Sequence, residues 1–121
     1  MKMDMENLKL HKLVNSMRSS HVQGLFMYMF VEKKNMNEVA WETGISRQTL
    51  STWKRGGNVT HGNVEKVAQH YSLKTHLLYD ASSLMRHLIA NENDPQERAR
   101  VSMLLGEYAY LTQDNPEIVE S

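Results

Sequence analysis

Cysteine is absent from this 121-residue chain, and long apolar runs are absent as well. Without a thiol, the chain can form neither disulfide bonds nor thiolate metal sites, and a cysteine nucleophile is excluded. An apolar run covers only residues 25–31, which is far shorter than the ~20 residues that a membrane helix needs. Because charged residues interrupt the first 17 positions, no signal peptide is expected. We therefore expect a cytoplasmic protein that makes no membrane contact.

The common catalytic and metal-binding motifs are missing from the sequence too. None of the six histidines belongs to a His-Glu-x-x-His pair, the spacing that holds zinc on one helix face. Gly56 and Gly57 are not followed by the Lys-Ser/Thr pair of a phosphate-binding loop, and there is no Gly-x-Ser-x-Gly nucleophile motif. We expect no enzyme activity, no cofactor and no metal.

The formal net charge is zero, but the charges are unevenly distributed along the chain. Residues 17–66 contain seven basic and four acidic side chains, a net charge of +3, whereas residues 80–121 contain three and eight, a net charge of −5. Affinity for DNA depends on basic groups that neutralise phosphates, so only the first region suits a nucleic-acid partner. The acidic region is better suited to contact protein.

Prolines are few, at positions 95 and 116, and apolar residues recur at helical spacing through most of the chain. The predicted fold class is therefore all-α. Polar residues at capping positions indicate where helices begin: Ser19 or Ser20, Thr60, and Asp94 followed by Pro95. The predicted helices cover about 4–17, 20–34, 37–43, 46–55, 61–71, a segment that reaches position 90 with or without a break at Asp80, and 95–113.

Residues 36–55, MNEVAWETGISRQTLSTWKR, have the spacing of two short helices that cross at a steep angle. Ala40 is small where the helices must approach, and Gly44 suits the left-handed conformation that ends a helix. If Leu50 and Trp53 face inward, the outward side chains are groups that can hydrogen-bond to base edges: Arg47, Gln48, Ser51 and Thr52. We assign this second helix to the major groove of DNA.

The segment 44–56, GISRQTLSTWKRG, resembles the turn and recognition helix of the Cro and lambda-repressor-like family of helix-turn-helix regulators, the xenobiotic-response-element type. The similarity extends over about 20–80, because 63–68, 71–73 and 77–78 are similar to the family's fourth and fifth helices. It implies a lambda-repressor-like helical bundle, with an extra N-terminal helix and C-terminal oligomerisation helices outside the match. Trp41 departs from the family pattern, in which this position is often polar or charged.

The same resemblance implies roles for individual residues. Base reading would fall to the four outward residues of the second helix, Arg47, Gln48, Ser51 and Thr52. Phosphate contacts would come from the helix starts, the end of the recognition helix and the loop after it, that is from Asn37, Ser46, Lys54, Arg55, Asn58, Thr60 and His61.

Beyond position 80, apolar residues recur at near-heptad spacing, which is typical of helices that associate. We predict a homodimer or higher oligomer whose interface is formed by Leu84, Leu88, Val101, Leu104, Leu105, Tyr108 and Leu111. The alternative is that the C-terminal helices only cover the DNA-binding core. A two-fold dimer reads two half-sites about 34 Å apart, which is the usual route to specificity. The predicted division of the chain is an N-terminal helix (1–18), a DNA-binding domain (19–80), a dimerisation region (81–113) and a flexible tail (114–121).

These features predict a sequence-specific transcriptional regulator that binds a pseudo-palindromic operator in double-stranded DNA, at the nucleoid of a bacterial or phage-infected cell. A repressor and a phage-type activator both fit. One alternative is an antitoxin-type autoregulator whose acidic C-terminal helices bind a protein partner. Another is an adaptor that uses its helix-turn-helix to bind protein only.

Overall fold

The computed structural model describes residues 4–113, and over this range the chain forms seven α-helices, one 3-10 helix and no β-strand. In chain order these are α1 (Met5–Ser16), α2 (Gln23–Glu32), α3 (Met36–Thr43), α4 (Arg47–Lys54), α5 (His61–His70), the 3-10 helix (Thr75–Leu78), α6 (Ala81–Asn91) and α7 (Pro95–Thr112). The predicted all-α fold class is confirmed. Within this range, no helix combines the length and the apolar character needed to cross a membrane. The predicted tail, 114–121, lies outside the described residues.

Capping side chains mark the start of the first and last helices. The carboxylate of Asp4 accepts a hydrogen bond from the backbone N–H of Asn7 at 2.9 Å, and α1 begins at the next residue after Asp4. Asp94 accepts from the N–H of Gln96 at 3.1 Å, and Pro95 occupies the first helical position, where its missing N–H leaves no bond unmade. The predicted beginning of α7 is confirmed.

The predicted cap of α2 is wrong. This helix begins at Gln23 after Val22, which makes no side-chain capping bond, so neither Ser19 nor Ser20 occupies the capping position. The Ser20 hydroxyl instead donates to the carbonyl of Trp53 at 2.8 Å and accepts from the N–H of Val22 at 3.1 Å. Ser20 therefore ties the start of α2 to the end of α4.

Two other helix boundaries are resolved by the structure. The helical segment is interrupted at Asp80, between the 3-10 helix and α6. The carboxylate of Asp80 accepts a hydrogen bond from the N–H of Ser82 at 3.1 Å and caps α6. Thr60 does occupy the capping position of α5, as predicted, but its side chain makes no capping bond.

One hydrophobic core runs through the described chain. At its centre lies α2, in which six of the ten residues are buried, and it packs against α6 and the 3-10 helix. In turn α6 packs against α7, and α7 against α1. Packing is therefore continuous across positions 18 and 80, where the sequence predicts domain boundaries.

Hydrogen bonds and ion pairs join the N-terminal helix α1 to the C-terminal helix α7. The Arg100 guanidinium on α7 binds the carboxylate of Glu6 on α1, the carboxylate of Glu97 at 2.7 Å and the carbonyl of Val31 at 2.8 Å. Further along the same helices, His11 Nε2 lies 2.6 Å from Glu107 Oε2. The N-terminal helix is thus fixed to the C-terminal one.

Candidate functional site

Local hydrogen bonds fix α3 and the turn that follows it. Asn35 accepts from the N–H of Glu38 at 2.8 Å, and Glu38 accepts from the N–H of Asn35 at 2.9 Å, which forms a capping box. At the other end, Gly44 has φ = 79° and donates to the carbonyl of Ala40 at 2.9 Å. A residue with a side chain would be strained in this left-handed conformation, so glycine is needed where α3 ends.

A capping hydrogen bond and two buried side chains hold α4 in place. Ser46 caps α4 by accepting from the N–H of Thr49 at 3.1 Å, and Leu50 and Trp53 are 0% and 1% exposed. The predicted inward orientation of these two apolar residues is therefore confirmed. Because Ser20 also holds the Trp53 carbonyl, both the apolar side and the end of α4 are fixed to the rest of the fold.

The exposed side of α4 has two edges, and one of them borders a polar groove. Gln48, Thr49 and Thr52 line this groove from α4, and Asn58, Thr60 and Asn63 line it from the loop and the first turn of α5. Ser46 also contributes to it. The structure thus brings together five of the predicted contact residues: Ser46, Gln48, Thr52, Asn58 and Thr60.

Sequence reasoning missed two residues of this groove. Thr49 shares an edge of α4 with Thr52, three positions later, so helical spacing could have found it. Asn63 lies in the first turn of α5, which the sequence treats only as the beginning of a helix with an inner apolar face. Its membership depends on how α5 is placed against α4, and no local signal encodes that.

Arg47, Ser51 and Arg55 form the other edge of α4, at spacings of four residues. Arg47 and Arg55 are exposed, and the Arg55 guanidinium donates to Ser51 Oγ at 2.6 Å. Lys54 lies apart from both edges, because its ammonium is 5.9 Å from the centre of the Phe26 ring on α2. Two predicted base readers, Arg47 and Ser51, thus share an edge with Arg55, a predicted phosphate contact, whereas Lys54 lies apart from them.

Two further predicted phosphate contacts stand outside the groove. Asn37 is exposed in the first turn of α3. The ring of His61 stacks on Tyr79, with Nδ1 2.7 Å from the tyrosine hydroxyl, and its Nε2 is 3.6 Å from Glu65 Oε2. His61 would have to leave these partners to bind a phosphate.

The electrostatic surroundings of the turn favour an anion. Among residues 4–113, no ion pair involves Arg47, Lys54 or Arg55, and the Lys66 ammonium on α5 lies beside Gly44.

The carboxylate of Glu42 on α3 is itself neutralised. Hydrogen bonds from Tyr71 at 2.7 Å and Lys34 at 3.2 Å hold the pKa of Glu42 below its usual value. Burial of the ring, together with the hydrogen bond to the same carboxylate, raises the pKa of Tyr71. The acid nearest the turn in sequence is thus already paired.

The predicted oligomer interface needs correction at four of its seven residues. Leu84, Val101, Leu104 and Tyr108 are at most 6% exposed in a single chain, so they are not available to a second copy in this fold. Leu88, Leu105 and Leu111 are half-buried against the same core. The near-heptad spacing reflects the packing of α6 and α7 on their own chain, and dimerisation itself stays a prediction.

Trp41 is the most exposed of the large apolar side chains that the structure describes, at 87%. It lies on α3, one turn after Asn37.

Comparisons of this chain with protein-family models, curated proteins and solved structures gave no match.

Proposed function

We propose that this protein is a sequence-specific DNA-binding transcriptional regulator whose α4 enters the major groove. The observation that carries the proposal is the contrast between the two sides of α4. One side is anchored by Leu50 and Trp53, which are almost completely buried, and the other presents Arg47 and Gln48 to solvent. A helix held this firmly can place its polar side chains against base edges at fixed positions.

The chemistry of the exposed side supports the same proposal. An arginine can bind the O6 and N7 atoms of guanine with two hydrogen bonds, and a glutamine can bind the N6 and N7 atoms of adenine. Thr52, on the edge beside Gln48, can contact a thymine methyl group or a phosphate. In this arrangement the α5 side of the groove would lie along the sugar-phosphate backbone, where Asn58 and Thr60 could donate to phosphate oxygens.

Selection of bound sequences from a random duplex library, at two salt concentrations, tests the proposal. We expect a pseudo-palindromic motif and an affinity that falls steeply with salt. A protein that enriches no motif and binds no duplex would contradict DNA binding altogether.

Two variants separate base reading from phosphate binding. Gln48→Ala should relax the preference at one base position at a cost of roughly 1–3 kcal/mol, whereas Lys54→Ala should weaken all duplexes similarly and flatten the salt dependence. Gln96→Ala and Arg86→Ala change exposed residues of α7 and α6 and serve as matched controls. Equal losses for Gln48→Ala on specific and random duplexes would remove Gln48 from the base-reading set.

One observation favours a second candidate, a helix-turn-helix that binds protein. Exposed aromatic side chains are enriched at protein interfaces, and Trp41 is such a side chain on α3. If this candidate holds, then Trp41→Ala abolishes partner binding, and the library selection enriches nothing.

A further inference from the structure

Arg98 is an exposed charged residue of α7, but from Ala99 onward the exposed residues carry no charge. Those on the side of Met103 and Tyr110, with Gln113 directly after the helix, are small, polar without charge, or large and apolar, and we call them the α7 outer face: Ala99, Ser102, Met103, Gly106, Ala109, Tyr110 and Gln113. Between positions 99 and 113 the sequence has two charged residues, Arg100 and Glu107. Both bond to α1, through Glu6 and His11, so they point away from this face.

Two large side chains stand out on this face. Met103 is 71% exposed and Tyr110 is 72% exposed, and they are seven residues apart, which places them on one line along the helix. Ala99, Met103, Gly106, Tyr110 and Gln113 follow one another at alternating steps of four and three residues, the spacing of a helix-pairing stripe. Gly106 lies between the two large residues, and a side chain there would meet no atom within 4 Å.

We infer that the α7 outer face binds the same face of a second copy of this chain, with the two α7 helices antiparallel. Consider a two-fold axis that passes near Gly106. Such an axis places Met103 of each copy against the partner's Tyr110, because the two residues lie at similar distances on either side of Gly106. Thioether and aromatic groups attract each other, and the glycines allow the helices to approach closely.

A second copy fits this face better than a partner of other chemistry. An interface between identical surfaces must be complementary to itself, and the Met103 and Tyr110 pairing meets that condition under a two-fold axis. A basic or acidic partner would find no opposite charge here. Interface cores are depleted in charged residues, as this face is.

The α7 outer face is small compared with stable protein interfaces. If each of the four large side chains covers about 150–200 Å², the pair buries roughly 600–800 Å² from these residues, below the ~1,200 Å² of a standard stable interface. We therefore expect a weak dimer that is populated at high protein concentration.

This inference deepens the proposed function, since a second copy would supply the second DNA half-site. Its experiments use the protein without DNA, so that failure of the dimer and failure of DNA binding are distinguishable. It also differs from the interface predicted from the sequence, whose central residues are buried within one chain.

Sedimentation equilibrium of the full chain tests the interface. The mass should rise from 14.0 kDa toward twice that value with increasing concentration, and Met103→Glu should weaken the association at least tenfold. Met5→Glu is the matched control, because Met5 on α1 is 67% exposed and the substitution is the same. A chain that stays monomeric throughout, or a dimer that only Met5→Glu weakens, would overturn the proposal.

Single-cysteine variants test the antiparallel arrangement, since the chain contains no other cysteine. Gly106→Cys should form a disulfide-linked dimer on mild oxidation, because position 106 of both copies lies near the axis. Position 99 is seven residues away, so two copies of Ala99→Cys would hold their thiols roughly 21 Å apart, beyond the reach of a disulfide. Efficient cross-linking of both variants would instead indicate parallel helices, and cross-linking of neither would contradict the interface.

Discussion

At Gly24 the α2 backbone passes directly over the carbonyl of Leu77, and a methyl group on Gly24 would overlap that oxygen. Backbone cannot yield as a flexible side chain does, so we expect Gly24→Ala to lower the free energy of unfolding by about 1–3 kcal/mol. Urea denaturation measures the change.

Gly62 provides the control for this substitution. It lies in the first turn of α5, and a side chain there would meet no atom within 4 Å. Gly62→Ala should therefore leave stability unchanged or raise it by up to about 1 kcal/mol, because alanine favours the helix. Similar stability of the two variants would mean that α2 and the 3-10 helix are not in such close contact.

Single residues could be predicted from the sequence where their partners are near in the chain. Leu50 and Trp53 follow from helical spacing, and Gly44 from the need to end α3. Ser20 could not be predicted, because the carbonyl to which it donates is 33 residues away and a serine before a helix is normally read as a cap. The need for glycine at position 24 could not be predicted either, because Leu77, against which Gly24 packs, is far away in the sequence.

At the scale of helices, Arg100 holds three elements together. It bonds to Glu6 of α1 and to the carbonyl of Val31 in α2 from its own position on α7. Arg100→Ala should destabilise the fold by about 1.5–3 kcal/mol, since it removes hydrogen bonds of a charged group and leaves the Val31 carbonyl without this donor. Thermal or urea unfolding checks this.

Arg98→Ala is the comparison for that variant. Arg98 is exposed on the same helix and donates to the carbonyl of Glu92 close by in sequence. A surface bond of this kind contributes little, so stability should change by less than about 0.5 kcal/mol. If Arg98→Ala lowered the free energy of unfolding as much as Arg100→Ala, the bonds of Arg100 to α1 and α2 would contribute no more to stability than a surface hydrogen bond does.

The helices themselves were predicted well, whereas what they pack against was not. Asp94 and Pro95 lie next to the helix end that they specify, and this explains why the beginning of α7 was found. The apolar stripe of α7, with Val101, Leu104 and Tyr108, was also found, but an inward stripe and a dimer stripe have the same spacing. Only the position of α1 and α6 shows that this stripe is buried within one chain.

For the whole molecule, stability should decline at both ends of the pH range. Hydrogen bonds from Tyr71 and Arg100 lower the pKa of Glu42 and of Glu97, respectively, below the usual 4.5. As the pH falls, the carboxylates of Glu42 and Glu97 are therefore protonated in the unfolded chain before they are protonated in the folded one. Their contribution to the free energy of unfolding is complete above pH ~4.5, and it is lost as the pH falls through their lower pKa values in the folded state. Glu42→Gln should flatten the acid side of the curve.

At alkaline pH the sign is reversed. Burial, with a smaller effect of Glu32, raises the pKa of Tyr28 to about 12. Because the same ring ionises near pH 10 when unfolded, its contribution is lost as the pH rises from about 10 to about 12. Urea titrations across this range should show the decline, and Tyr28→Phe should reduce it. A curve that the variant leaves unchanged would place the ionising group elsewhere.

The two tryptophans have opposite surroundings, with Trp53 1% and Trp41 87% exposed. The indole in the core should fluoresce at shorter wavelength than the one in water, so the native protein emits as the sum of two distinguishable components. In Trp41→Phe the remaining tryptophan, Trp53, would report on the buried side of α4. In Trp53→Phe the remaining tryptophan, Trp41, would report on the surface of α3. One emission spectrum can therefore follow unfolding of the core, and a second the arrival of any molecule on α3, without an attached dye.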